Sequence, residues 1–203
     1  MSDELHPMVE AAPLDVSTAP DTTEAPPQRS SLLREIVETV LLTAIIFLIV
    51  NTATGRFRIE GQSMEPNLHD GEYVLIDKVS YVLHPPERGD VVVLLRPGER
   101  DYIKRIIGLP GDTVEVKNGQ VLVNGIALDE PYIADPARQN TPARQVEPER
   151  YFVMGDNRNN SSDSRSFGTI SAKDIVGRAW IVYWPPSSWG GIPHYSYKAL
   201  DSN

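Results

Sequence analysis

The chain has 203 residues, a formal net charge of −9 and 40% hydrophobic residues, enough for one domain with a real core plus appendages. It contains no cysteine, which excludes zinc–thiolate sites, thiol catalysis and disulfides. The acidic balance argues against nucleic acid as the main partner, because phosphate charge must be offset by basic patches.

Residues 1–31 carry five prolines, six carboxylates and almost no large apolar side chains, a composition that predicts a disordered tail. At Leu32 the composition flips. Residues 39–55 hold no charge, and 40–50 are almost wholly aliphatic. With Leu32, Leu33, Ile36 and Val37 included, a helix over 32–53 reaches the roughly 20 residues that span a bilayer. A buried core helix or a cleaved signal peptide has a similar apolar length, but an acidic tail is the wrong n-region for a signal peptide. Glu38 falls near the start of the helix, at interfacial depth. Arg29 and Arg34 on one side match Arg56 and Arg58 on the other, so the positive-inside rule assigns no orientation.

Beyond the helix the pattern predicts strands over 57–60, 72–77, 90–95, 102–107, 113–117, 120–124, 151–154 and 178–184. Asn118-Gly119 between two alternating runs is a hairpin signal. Residues 134–150, with three prolines and mixed charge, read as a variable loop. Long helical periodicity is absent here. Short strands with Gly, Pro and Asn turns predict a mainly β, partly closed β-barrel-like domain over 54–203.

Three stretches carry candidate chemistry. Ser63 lies between Gly61, where the backbone can turn, and Pro66, which ends regular hydrogen bonding. Such a fixed, irregular backbone suits a nucleophile, and it equally suits a serine that only bonds its own turn. Lys104 sits in a strand whose alternation puts Tyr102, Lys104 and Ile106 on one face and Ile103, Arg105 and Ile107 on the other. Burial lowers a lysine pKa, and a neutral lysine can act as a general base. Moving it from about 10.4 to near 7 costs roughly 4 to 5 kcal/mol. The alternative is an edge lysine with its stem laid over the sheet. The third stretch, residues 155–168, is a polar loop that is either a solvated connector or a segment fixed by internal Asp–Arg pairs.

The order and spacing of these stretches resemble the boxes of the type I signal peptidases (leader peptidases), membrane-bound Ser/Lys endopeptidases. The matching pieces are residues 61–66, residues 102–112 with their Lys104-Arg105-Ile106-Ile107-Gly108-Leu109-Pro110-Gly111-Asp112 core, and residues 155–168. Gly89-Asp90-Val91-Val92-Val93 is a weaker match. The resemblance covers about residues 32–184. It implies Ser63 as nucleophile and Lys104 as general base, with Ser161 orienting the lysine ammonium and Asp163 and Arg165 pairing to stiffen the loop. It implies signal peptides of exported preproteins as substrates, cut after a small-x-small pattern, with the tail in the cytoplasm and the catalytic domain on the outer face of the plasma membrane. An extended peptide would add as a strand beside 59–62 and 101–104, making Ile59, Gly61, Gln62 and Tyr102 candidate substrate contacts. The Ser63 N–H is the expected oxyanion donor. Some relatives add a serine hydroxyl two residues before the nucleophile, where this chain has Gly61.

No metal or cofactor is expected. His6, His69, His84 and His194 lack ligand spacing, Arg158 breaks an EF-hand reading of the polar loop, and no phosphate-binding Gly loop occurs. His69 lies close enough in sequence for a Ser/His arrangement, whereas Pro66 excludes a Ser-x-x-Lys motif at Ser63. The lipid bilayer is the other expected partner, with Trp180, Tyr183, Trp184 and Trp189 either at the interface or packed in the barrel and against the C-terminus. Two rivals are a self-cleaving repressor, which needs a DNA-binding domain where this chain has an anchor, and a catalytically inactive anchored β-domain acting as a binding module.

Overall fold

The structure, a computed structural model, describes residues 29–95 and 101–197, with side chains from residue 32 onward. The tail expected over 1–31 thus lies outside the described residues, except that residues 29–31 are helical. The chain divides into two compact units, Met1–Thr43 and Ala44–Asn203. Helix α1, Arg29–Ala53, contributes to both.

Within α1, the segment Leu32–Ala53 is 22 residues long and none of it is buried by protein. At about 1.5 Å per residue it reaches roughly 33 Å, the thickness of a bilayer core. Its hydroxyls bond back along the helix, Thr39 to the Glu35 carbonyl, Thr43 to Thr39 and Thr52 to Leu48. Each of these three hydroxyls is thereby satisfied without water, as lipid requires. Glu38 pairs with Arg34 one turn earlier at 2.7 Å.

The rest is mainly β, as the pattern predicts. The strands are β1 Thr54–Arg58, β2 Tyr73–Asp77, β3 Val91–Leu94, β4 Tyr102–Gly108, β5 Thr113–Lys117, β6 Gln120–Val123, β7 Ile126–Ala127, β8 Thr141–Gln145, β9 Arg150–Met154, β10 Ile170–Ser171, β11 Ile175–Trp184 and β12 Gly190–Gly191. Among the described residues two single-turn α-helices, α2 Ser80–Leu83 and α3 Ser164–Phe167, and two 3-10 turns, Ala172–Asp174 and Pro186–Ser188, interrupt them. One sheet runs β1-β2-β11-β3-β4-β9-β10 with β12 added to β11, and a second runs β7-β6-β5-β8. The ends of the large sheet, β1 and β10, do not pair, so the barrel stays open.

Strand β3 shows why the large sheet is covered on both faces. Val91 and Val93 enter a core with Ile59, Met64, Val74 and Ile103, while Val92 and Leu94 enter another with Ile106, Tyr151 and Val153. Successive side chains of one strand point to opposite faces, so an unbroken valine run needs two cores. The small sheet builds a third from Val114, Val116, Val121 and Val123 against Ile107, Phe152 and Met154.

One expectation is corrected. Residues 134–150 are not all loop, because β8 pairs with β5 at the edge of the small sheet. Four of its five residues are exposed and one is Pro142, which an edge strand tolerates because one side needs no ladder donor. With no buried face, β8 shows no alternation to read. Strands β1 and β11 each begin three residues earlier than predicted.

Candidate active site

Ser63 is fixed from both sides of its loop. Ile59 pairs through both backbone groups, its N–H to Glu72 O at 2.8 Å and its carbonyl to Gly71 N–H at 2.9 Å. Gly61 then turns with φ of 89°, the left-handed region that glycine enters without a Cβ penalty, and its N–H donates to Asp70 Oδ1 at 2.7 Å. Immediately after Ser63, Met64 and Leu68 are buried in the core and the Leu68 N–H donates to Met64 O at 3.0 Å. From the polar loop, the Asn157 N–H donates to Ser63 O at 3.0 Å, Asn157 Nδ2 to Gln62 O at 3.1 Å and Asn160 Nδ2 to Gln62 Oε1 at 3.2 Å.

Lys104 reaches this serine from β4, forty-one residues along the chain. Its Nζ lies 2.6 Å from Ser63 Oγ and 2.8 Å from Ile103 O, 5.4 Å from the Tyr102 ring centre, and the residue is 2% exposed. Burial pushes its pKa down to about 8, with the Asp163 and Asp156 carboxylates holding it up against that trend. The fall is smaller than the pattern alone predicts, because those two charges offset part of the desolvation. It corresponds to a cost on the order of 3 kcal/mol. At neutral pH most lysines here carry a proton and a useful fraction do not. The acid limb of kcat/KM should therefore rise through an apparent value near 8. Asp163→Asn removes a charge that favours the ammonium, so it should move that limb to lower pH. A limb that stays in place would disconnect Asp163 from Lys104.

Asp163 is fully buried and receives Arg165 through Nε at 2.8 Å and Nη2 at 2.7 Å. It also caps α3, accepting the Arg165 N–H, and accepts the Gly155 N–H at 3.1 Å. Arg165 Nη1 adds a bond to Arg158 O at 2.6 Å. Loop 155–168 is thus tied to itself by one bidentate pair.

Ser161 makes no hydrogen bond to Lys104; its Oγ is buried without a partner. It packs on Gly155, where a Cβ would collide with both Ser161 Oγ and Ser63 O. Gly155 lets the loop backbone close on the serine loop. Gly155→Ala should keep the domain folded but push Ser63 from Lys104, with a loss in kcat of about 10²-fold, the size expected of a 1 Å misplacement. Peptidase assay alongside circular dichroism tests this, and near-normal kcat would refute the contact.

Behind Lys104 lies a buried ionic layer that sequence reasoning missed. Arg105, 0% exposed, bonds Asp156 through Nε at 2.8 Å and Nη2 at 2.7 Å, and Nη1 reaches Gly89 O and Pro193 O. Its guanidinium stacks on Tyr132, 4.1 Å from the ring centre, with Tyr195 at 5.2 Å. Asn67 Nδ2 bridges Asp156 Oδ2 and Tyr132 O, both at 2.8 Å, linking this layer to the serine loop. Strand alternation put Arg105 opposite Lys104, but nothing local named Asp156 as its partner.

A cleft of about 560 Å³ opens over the pair. Of the predicted substrate contacts, Gly61, Gln62 and Tyr102 line it, and Phe57, Asp101 and Ile103 are further walls. Ile59 is the exception. It is 1% exposed and packs in the core, because β1 ends at Arg58 and the inward face continues through it. Strand β9 pairs with β4 only from Arg105 onward, so residues 102–104, paired with β3 on their other side, border the cleft without a β9 neighbour. His69 faces Glu72 at 3.4 Å rather than Ser63. Trp180, Trp184 and Trp189 are all exposed and not in the barrel core.

The family described as signal peptidase, peptidase S26, matches residues 32–184. Among curated proteins, the probable signal peptidase I-1 of Synechocystis sp. is 36% identical over 181 residues, covering 84% of this chain and 92% of its own length. The probable signal peptidase I-2 of the same organism is 41% identical over 170 residues, covering 80% and 77%. The signal peptidase IB of Staphylococcus aureus is 35% identical over 175 residues, covering 77% and 92%.

Proposed function

The chain belongs to the signal peptidase family, peptidase S26, and from that premise we propose that Ser63 and Lys104 are its catalytic dyad. The enzyme is a serine peptidase that removes signal peptides from preproteins. The observation that carries the dyad is the 2.6 Å approach of Lys104 Nζ to Ser63 Oγ in a site where Lys104 is desolvated.

The neutral amine of Lys104 takes the Ser63 hydroxyl proton as Oγ attacks the scissile carbonyl carbon. The negative charge that develops on the carbonyl oxygen is met by the Ser63 N–H. As the tetrahedral adduct collapses, the C–N bond breaks and the Lys104 ammonium gives its proton to the leaving amine. Lys104 then takes a proton from water as it attacks the acyl ester, and returns that proton to Ser63 Oγ when the ester C–O bond breaks, releasing the carboxylate product and restoring the dyad. Ser161 Oγ, buried without a partner, turns to accept from the Lys104 ammonium and orients it. The Asp163–Arg165 pair holds the loop that carries it.

The signal peptide lies extended along residues 101–104 and 60–62, adding a strand where β4 lacks β9. Shallow apolar walls, Phe57 and Ile103 among them, favour small side chains beside the cut, hence an Ala-x-Ala-like pattern. The apolar helix Leu32–Ala53 fits a membrane-anchored protein. We assign a single pass with residues 1–31 in the cytoplasm and residues 54–203 on the outer face of the plasma membrane, where substrates are held in the same bilayer. Incubation in detergent with a preprotein carrying one Ala-x-Ala site, followed by mass measurement of the products, tests the assignment. Cleavage after the second alanine is expected; cleavage elsewhere, or none by folded protein, would overturn it.

A further inference from the structure

Two segments meet at the nucleophile, residues 62–68 and residues 156–160. Up to Ser63 the ties come from the polar loop, with the Asn157 N–H on Ser63 O at 3.0 Å and the Asn157 and Asn160 amides on Gln62. Beyond Ser63 the tie comes from Asn67, whose Nδ2 donates to Asp156 Oδ2 and to Tyr132 O, both at 2.8 Å. Asn67 stands four residues after Ser63, and its own N–H donates to Met64 O at 3.1 Å. Asp156 directly precedes Asn157. Residues 63–67 and 156–157 therefore close a small ring of covalent and hydrogen bonds, with Ser63 held at one junction and Asn67 at the other.

Met64 and Leu68 anchor the same turn in the core, but burial of apolar surface is not directional. The half-buried Asn67 amide supplies direction. Its Nδ2 has two hydrogens and meets two acceptors, so its donor capacity is filled. One acceptor, Tyr132, also stacks on Arg105, which brings the serine loop, the polar loop and the buried ionic layer to one side chain. Asn67 is not among the residues that wall the cleft over the dyad.

The other acceptor bears on the base. Asp163 and Asp156 are the carboxylates that favour the Lys104 ammonium, the first paired with Arg165 and the second with Arg105. On the Asn67 turn itself, Glu65 and His69 are the ionisable neighbours, and His69 faces Glu72. A hydrogen bond from Asn67 takes up part of the Asp156 charge, so less of it acts on Lys104.

We propose that Asn67 is a positioning residue for the peptidase reaction, holding the Ser63 loop on Asp156 so that Ser63 Oγ stays within reach of Lys104. Asn67 touches neither the substrate nor the reacting atoms; it acts through Ser63 and Asp156. This role rests on the dyad of Ser63 and Lys104.

The test compares wild type, Asn67→Leu and Asn67→Ser as full chains in detergent. For each, kcat and KM on the Ala-x-Ala preprotein are measured from about pH 6 to about pH 10, with circular dichroism and thermal unfolding as controls on fold. Leucine nearly matches asparagine in shape and has no donor, whereas serine keeps one donor. In Asn67→Leu, kcat should fall on the order of 10²-fold, the scale of a 1 Å misplacement, with KM within about twofold of wild type. Asn67→Ser should lose less. The acid limb of kcat/KM in Asn67→Leu should move to higher pH, because Asp156 with one donor fewer favours the ammonium. A tie that serves stability alone would lower the unfolding temperature and leave kcat and the limb of the folded protein in place; that result overturns the proposal. A raised KM with kcat intact overturns it too, as does an Asn67→Ser protein no better than Asn67→Leu. Should Asn67→Leu fail to fold, the kcat and KM of Asn67→Ser decide in the same way. Wild type that leaves the preprotein uncut defeats the peptidase reading itself, whereas active wild type with indifferent variants defeats only the role given to Asn67.

Discussion

Ser63→Ala and Lys104→Ala should each abolish cleavage of the Ala-x-Ala preprotein, with losses of at least about 10³-fold, since removal of a nucleophile or its base costs that much or more. The two side chains act on one proton, so the double variant should be no worse than either single one. Lys104→Met keeps most of the buried volume and removes the amine, separating loss of chemistry from loss of fold. Lys104→Arg should not rescue, because a guanidinium stays protonated and cannot accept the serine proton. Activity is read as single-turnover cleavage, with thermal unfolding as the control on fold. Substantial cleavage by Ser63→Ala would end the mechanism. Substantial cleavage by Lys104→Met would leave Ser63 without its proposed base.

Arg105→Met should be the most damaging single substitution for stability. The Arg105–Asp156 pair has no exposure on either side chain. Removing one partner of such a pair leaves an uncompensated buried charge and costs about 3–5 kcal/mol. Asp156 would keep the Asn67 amide, while Gly89 O and Pro193 O would lose a donor. Against a domain stability of typically about 5–15 kcal/mol, that is a large fraction. The double variant Arg105→Met/Asp156→Leu should recover part of the loss, because no charge is then stranded. Urea unfolding of the three proteins in the same detergent decides it. A double variant as unstable as Arg105→Met would place the cost in packing on Tyr132 and Tyr195 rather than in the buried charge.

The two substitutions differ in how visible their positions are in the sequence. Lys104 is legible as a candidate because its strand neighbours Tyr102 and Ile106 are apolar. Its role depends on a contact with Ser63 that only the resemblance to known peptidases supplied beforehand. Arg105 reads as the other face of the same strand, with nothing to say that this face is covered. The tyrosines that stack on its guanidinium, Tyr132 and Tyr195, come from two separate, mostly irregular segments further along the chain. Ile59 shows the opposite failure. It lies beside the serine loop in sequence, but its backbone is already paired and its side chain belongs to the core.

What the sequence determined by itself is what local chemistry writes along the chain. That includes the uncharged run over 39–55, the alternating strands and the Asn118-Gly119 hairpin. It also includes the glycine and proline that bracket Ser63. These signals follow from period, composition and backbone freedom, which need no distant partner. The tertiary structure decided what depends on distance across the fold: that Lys104 meets Ser63 at 2.6 Å, that burial, opposed by Asp163 and Asp156, brings its pKa down to about 8, and that β8 is an edge strand without a buried face. Charge interactions and burial are set by neighbours in space, and a strand with one solvated side carries no hydrophobic period from which to infer them.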